Sequence, residues 1–204
     1  MGRRNLHTRE EIRALALRAA AEIVERQGPA ALTAREVARR IGYTVGTLYL
    51  TFTNLDDLIV HVNEQTVIEL EHSLEEVTRR TRAPEQRLRL LAAAYLGFAL
   101  VHTNRWRMVF EHRLPQGQQA PPTYRGHTAS IFALVRENLR ASTPARMKSS
   151  LDDSAVALWS AIHGICVLAV SGKLQAGGAV SVQRLIDLLL DRFLGVMTPV
   201  RRRR

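Results

Sequence analysis

Between residues 33 and 49 the chain gathers side chains that can touch a polynucleotide without blocking a groove: Thr33, Arg35, Thr44, Val45, Gly46, Thr47 and Tyr49. Threonine and tyrosine hydroxyls hold phosphate oxygens, and Val45 and the threonine methyls fit thymine methyl groups. Gly46 permits close backbone approach, and Arg35 suits a base or phosphate contact from the side. A second constellation lies at Leu158-Trp159-Ser160-Ala161-Ile162-His163-Gly164, with Cys166 one turn beyond His163 on the same helical face. A histidine in an otherwise apolar helix is costly unless it has a use. The pair offers two metal ligands, a polar handle for a bound molecule or a redox-sensitive thiol; a hydrogen-bonded core histidine and an inert buried thiol are the competing reading.

Other ligands for a metal exist in His102 and His112, but nothing in the spacing brings them to His163, so neither a metal site nor a cofactor is expected. A nucleophilic cysteine needs exposure and an oriented base. Cys166 sits in an apolar helix with no visible orienting acid, so catalysis is not expected either. Tyr95, Phe98, Trp106 and Phe110 fall on helices that should face the interior, where aromatic residues either line a small-molecule cavity or simply fill a core. With Trp159, His163 and Cys166 they form the candidate ligand-binding set.

The elements that must hold these residues are all helices. Apolar residues at Ile12, Leu15, Ala16, Ala19, Ile23 and Val24 fall on one helical face over residues 8–27, with Thr8 and Glu11 as a capping box and Gly28-Pro29 as the stop. Thr33 and Glu36 repeat that arrangement before a short second helix that ends at Gly42, and Thr44 caps a third over residues 45–50. Asn54 and Asp57 cap a long fourth. Further helices are expected at 84–101, 104–112, 124–142, 152–175 and 181–196, and residues 114–123, rich in Pro, Gln and Gly, form the least ordered internal loop.

Two short helices about a glycine turn, with the small Ala38 four residues before Gly42, are what a helix-turn-helix requires. An ordinary helical hairpin with Tyr49 and Phe52 as core aromatics is the alternative. The segment 33–58, with Leu32-Thr33, Val37-Ala38, Ile41-Gly42, Gly46-Thr47-Leu48-Tyr49, Phe52 and the acidic residues before Leu58, resembles the TetR family of repressors. That resemblance implies an all-α chain of about nine helices: a helix-turn-helix domain over residues 1–53, and an effector-binding and dimerisation domain over 54–204. It also implies DNA contacts on Arg35, Thr44, Val45, Gly46, Thr47 and Tyr49, and a small-molecule effector. Two departures weaken a backbone contact: Thr51 stands where the family often has histidine, and Leu55 where it often has lysine. The Trp-x-x-x-His-Gly string resembles the C-terminal domain of one branch of that family.

The final helix carries Val182, Leu185, Ile186, Leu189, Leu190, Phe193 and Leu194, an apolar face broader than one core contact needs. With the helix before it, this face suits a homodimer through Leu158, Ile162, Leu185, Leu189 and Phe193. The expected partners are therefore double-stranded DNA, a small molecule and a second copy of the chain.

Composition agrees with a polyanionic partner. The 204 residues carry a formal charge of +10, and Lys148 and Lys173 are the only lysines. Part of the excess is terminal, at Arg3, Arg4 and the four arginines of 201–204; Arg3 and Arg4 suit a minor-groove arm or a solvated tail. An architectural protein that coats DNA through charge alone is the competing expectation. One cysteine excludes an internal disulfide, and with no leader in view a cytoplasmic location is expected. The longest apolar stretch, 155–170, is interrupted by Ser160, His163 and Gly164 and is shorter than the roughly 20 residues of a membrane span. A buried helix and no membrane association are expected from it.

Overall fold

A computed structural model describes residues 7–143, 151–174 and 181–197; Arg3, Arg4 and the arginines of 201–204 lie outside them. The described residues form nine α-helices and one 3-10 turn, with no strand. In chain order they are α1 (Arg9–Gln27), the 3-10 turn Pro29–Ala31, α2 (Ala34–Ile41), α3 (Val45–Leu48), α4 (Leu55–Thr78), α5 (Pro84–Val101), α6 (Thr103–Glu111), α7 (Pro122–Ser142), α8 (Leu151–Val170) and α9 (Val182–Met197). The 3-10 turn has no counterpart in the sequence reading. It follows from Pro29 at the first position of a turn that tightens directly after α1.

Short-range capping sets the starts of the first four helices. The Thr8 hydroxyl accepts from the Glu11 N–H at 3.2 Å, and the Glu11 carboxylate accepts from the Thr8 N–H at 2.6 Å. That backbone bond holds the Glu11 carboxyl below the usual carboxylate range. At α4 the Asn54 side chain accepts from the Asp57 N–H and the Asp57 carboxylate from the Thr53 N–H, both at 2.8 Å. Three orphan donors at two helix starts are thereby satisfied, and the Thr53 N–H just before α4 with them.

The chain divides into two compact units, and neither is continuous: Met1–Ile68 with His102–Tyr124, and Glu69–Val101 with Arg125–Arg204. This differs from the single cut between residues 53 and 54. In the first unit α1 packs on α2, α3 and α6. Its core is Ala16, Ala20, Ile23, Val24, Leu32, Val37, Leu48, Phe52, Leu58, Val62 and Met108. Polar contacts fasten α6 to the end of α1: Arg105 Nε donates to Glu25 at 2.8 Å, Arg105 Nη2 donates to His102 Nδ1 at 2.9 Å, and Asn104 donates to the Glu25 carbonyl at 2.9 Å.

In the second unit α5 packs on α8 and α9, and α8 on α9. The inward stripe of α8 is Leu151, Ala155, Leu158, Ile162 and Cys166, at helical spacing. Some apolar residues outside that stripe are uncovered, with Val156, Val167 and Leu168 exposed, as is Leu188 on α9. The helix is 20 residues long, apolar and long enough to cross a membrane by length and composition, yet only 22% of its apolar window is buried within the chain. The expectation of a buried helix is thus corrected, and the helix expected at 152–175 ends at Val170. Its helical run extends beyond the 155–170 stretch to Leu151, and one stripe of it is buried where two faces are apolar.

Two glycines give opposite expectations for the same change. Gly42 closes α2 at φ 75° with nothing within 4 Å of an added Cβ, so Gly42→Ala meets backbone strain alone and should cost about 1–2 kcal/mol. Gly97, inside α5, also has open space around it, and Gly97→Ala should add about 0.5–1 kcal/mol. Urea denaturation midpoints of the two variants should move in opposite directions.

Candidate functional site

The turn between α2 and α3 is built from main-chain bonds around the left-handed Gly42: its N–H reaches the Arg39 carbonyl at 3.3 Å, and the Tyr43 N–H reaches the Ala38 carbonyl at 3.0 Å. Thr33 opens α2 by accepting from the Glu36 N–H at 3.2 Å. Only this half of the expected capping box forms. Glu36 instead takes two bonds from Arg39, at 2.8 and 2.7 Å, and one from Arg40 at 3.3 Å. A forked charge-assisted contact outcompetes a single backbone N–H. The Arg39 guanidinium holds the Glu36 carboxyl at about 2.

On α3 the Thr44 hydroxyl accepts from the Thr47 N–H at 3.1 Å and meets the Thr47 hydroxyl at 3.0 Å. The helix ends at Leu48, two residues short of the sequence reading, and Tyr49 serves as its C-cap. Leu48 and Phe52 are buried in the first core, while Arg35, Thr44, Gly46 and Tyr49 are exposed and Val45 and Thr47 half-buried. All seven predicted contact residues therefore share one compact unit, and Thr33 and Thr44 already spend a hydroxyl lone pair on capping.

Three further residues support this surface. Arg13 of α1 donates to the Thr51 carbonyl at 3.1 Å and lies 4.6 Å over the Phe52 ring. His7 and Tyr43 meet through His7 Nδ1 and the Tyr43 hydroxyl at 2.8 Å, which holds the start of the described chain against the turn. Arg13, His7 and Tyr43 carry no local motif, and their signal is a contact across 36 or more residues.

A cavity of about 40 Å³ lies in the second unit, lined by Leu74, Leu88, Leu91, Ala92, Tyr95, Ile131, Val135, Leu158, Trp159 and Ile162. Tyr95 and Trp159 of the predicted ligand set are on its wall. His163 adjoins both: its Nδ1 meets the Tyr95 hydroxyl at 2.8 Å, and its ring stacks on Trp159 with centroids 5.0 Å apart. Burial holds His163 below the ordinary imidazole value, which favours the neutral ring near pH 7. Phe98 is buried on α5 outside the lining, and Cys166 is fully buried, its thiol pushed up to about 12 by burial.

Trp106 and Phe110 are elsewhere. They belong to the first unit, their rings 5.2 Å apart, because α6 packs there. His102 and His112 belong to that unit too, at Glu25 and Asp56, and His163 to the other. No three His, Cys, Asp or Glu side chains gather as metal ligands among the described residues. Of the expected dimer residues, Leu158 and Ile162 are buried inside their own chain, and Leu185, Leu189 and Phe193 are half-buried.

Comparison with known families places both parts of the chain. The model described as bacterial regulatory proteins, tetR family, matches residues 16–62, and the one described as tetracyclin repressor-like, C-terminal domain, matches residues 88–193, more than half of the chain. This chain belongs to the TetR family. TetR-family regulators bind DNA, usually as dimers. The fold recurs in a protein of unknown function from Rhodococcus sp. RHA1, 21% identical, with 98% of this chain and 100% of that one covered and a TM-score of 0.76. A TetR-like transcriptional regulator from the same strain is 19% identical over 91% and 93% of the two chains, with a TM-score of 0.63. RolR, solved with resorcinol, is 15% identical over 93% and 88%, with a TM-score of 0.65. Comparison with curated proteins by sequence gave no match.

Two measurements probe these TetR sites directly. Since the folded-state value of Glu36 lies below its ordinary 4.5, its pairing contributes stability in full above about pH 4.5 and loses it as pH falls toward about 2. An NMR titration should place the Glu36 midpoint near 2, and Glu36→Gln should flatten the acid dependence in that window. For Cys166, iodoacetamide should label the native protein only as fast as the chain opens. Rapid labelling of the folded protein would reveal an activated thiol.

Proposed function

We propose that this TetR-family protein is a ligand-responsive transcriptional repressor, a homodimer that binds an inverted-repeat operator through its helix-turn-helix and is released by a small molecule. The observation that carries the reading is the exposed edge of α3, where Thr44, Val45, Gly46, Thr47 and Tyr49 surround a glycine turn whose own polar groups are satisfied. Small side chains at that edge fit a major groove, with Arg35 beside them for a base or phosphate. A dimer sets two such readers about one DNA turn apart, matching half-sites on an inverted repeat.

Support for dimerisation comes from the uncovered apolar residues of α8 and α9, Val156, Val167, Leu168 and Leu188. Self-association through these positions replaces the buried Leu158 and Ile162 as the proposed contact. The cavity walled by Tyr95 and Trp159 is the proposed effector site, and RolR, a fold relative, was solved with the small molecule resorcinol. Release requires the effector to bind the DNA-free conformation more tightly, since equal affinity shifts nothing. No catalytic role is assigned, because the Cys166 thiol is buried and protonated. The place of action is the cytoplasm, on the nucleoid when DNA is bound.

The test is binding to the duplex upstream of the protein's own coding region against a scrambled duplex, at several salt concentrations. Preference that survives rising salt supports base reading; equal binding that falls steeply with salt on both duplexes supports charge alone. Arg35→Ala and Thr47→Ala should each weaken the preferred duplex selectively, by about 1–3 kcal/mol for a base contact. The Thr47→Ala change keeps the backbone N–H that Thr44 caps, so the helix is retained. Equal weakening on every duplex would overturn base reading at these positions.

A further inference from the structure

We infer that the molecule bound in the cavity of the second unit is uncharged, mostly hydrocarbon and no larger than about one aromatic ring, with a single hydrogen-bonding group that joins the Tyr95–His163 pair. This rests on the reading of that cavity as the effector site, and it names the chemistry the site selects.

Charge is excluded by the lining. None of the described residues on the wall is charged, and the hydroxyl of Tyr95 and the indole of Trp159 are its polar side-chain groups. An ion placed there loses its hydration without a counter-charge, a penalty of several kcal/mol in apolar surroundings. Several ionisable neighbours are engaged elsewhere. Glu71 and His127, one helical turn from the wall residues Leu74 and Ile131, are paired with each other; Arg89 is paired with Asp191 and Arg136 with Asp152.

Of the two polar groups on the wall, the Tyr95 hydroxyl meets His163 Nδ1. A phenolic oxygen has one proton to donate and two lone pairs. Bonding to one histidine nitrogen leaves it chemical capacity for a ligand hydroxyl, whichever tautomer His163 adopts. The indole is also flanked by Phe132, with ring centroids 5.1 Å apart and the rings tilted at 57°, so an aromatic cluster borders the cavity.

Size follows from volume. The cavity holds about 40 Å³, whereas a site for benzene needs about 150 Å³. A single ring therefore enters only where side chains of the wall move aside, and it sets the upper bound on size.

The test uses the full-length protein without DNA and four probes of one shape: p-cresol, toluene, 4-methylbenzoate and 4-methylbenzylamine, titrated by calorimetry at about pH 7, where cresol is neutral and the last two are charged. Cresol should bind tightest, toluene about tenfold weaker, and the two ions about a hundredfold weaker or more. Tyr95→Phe should bring cresol to the affinity of toluene without moving toluene itself. His163→Gln, which keeps a side-chain acceptor, should retain most of the cresol preference and serves if Tyr95→Phe does not fold. Ions binding as tightly as cresol, a cresol preference that survives Tyr95→Phe, or no binding by any of the four would overturn the inference. Operator release by cresol is scored separately: binding without release overturns the regulatory reading of the cavity and leaves its chemistry supported.

Discussion

A helix of four residues cannot sustain itself in water, because nucleation fixes several residues before a hydrogen bond returns anything. The proposed reading surface is nonetheless carried by such a helix, α3, so its position depends on what clamps its two ends. Thr44 and Gly42 fix the entry, and Leu48 with Phe52 pins the exit into the core of the first unit. Arg13 reinforces that exit by gripping the Thr51 carbonyl and covering the Phe52 ring. Exposure of Thr44 and Tyr49 is the reverse side of burying Leu48 and Phe52 on the same short segment.

Helix α8 meets a comparable demand on a larger scale. Leu158, Trp159 and Ile162 wall the cavity, while Val156, Val167 and Leu168 on its other faces are uncovered. One element thus serves an interior site and an exterior apolar surface. Such a helix must be apolar nearly all round, which is why its composition also satisfies the length and hydropathy of a membrane span.

Features set by neighbours three or four residues apart were legible in the sequence: the Thr8–Glu11 box, the Asn54–Asp57 cap, Thr44 over Thr47, and the Gly42 turn. The all-helical class and the family followed from the same local patterns. Glu36 was misread because a backbone N–H and two arginines all lie within its reach, and sequence spacing does not rank them. Trp106 and Phe110 show a second limit: periodicity says which face of a helix is apolar and leaves open which core receives it. Leu158 and Ile162 show the same limit on α8, where two faces are apolar and only packing selects the inner one. The cavity wall drew on α4, α5, α7 and α8, and apart from Tyr95 and Trp159 no feature of its residues set them apart from ordinary core.

The first unit is assembled from two stretches of chain, with α6 returning after α5 to supply Met108 to its core and Arg105 to Glu25. A reading head cut out at residue 53 or 68 would leave a hole where Met108 sits and a glutamate stripped of its arginine. Exchange of reading heads with another member of the family, by recombination or by hand, therefore takes two crossovers in place of one. The inserted piece must bring residues 102–124 along with 1–68, and that ties the evolution of operator choice to a segment encoded in the middle of the gene.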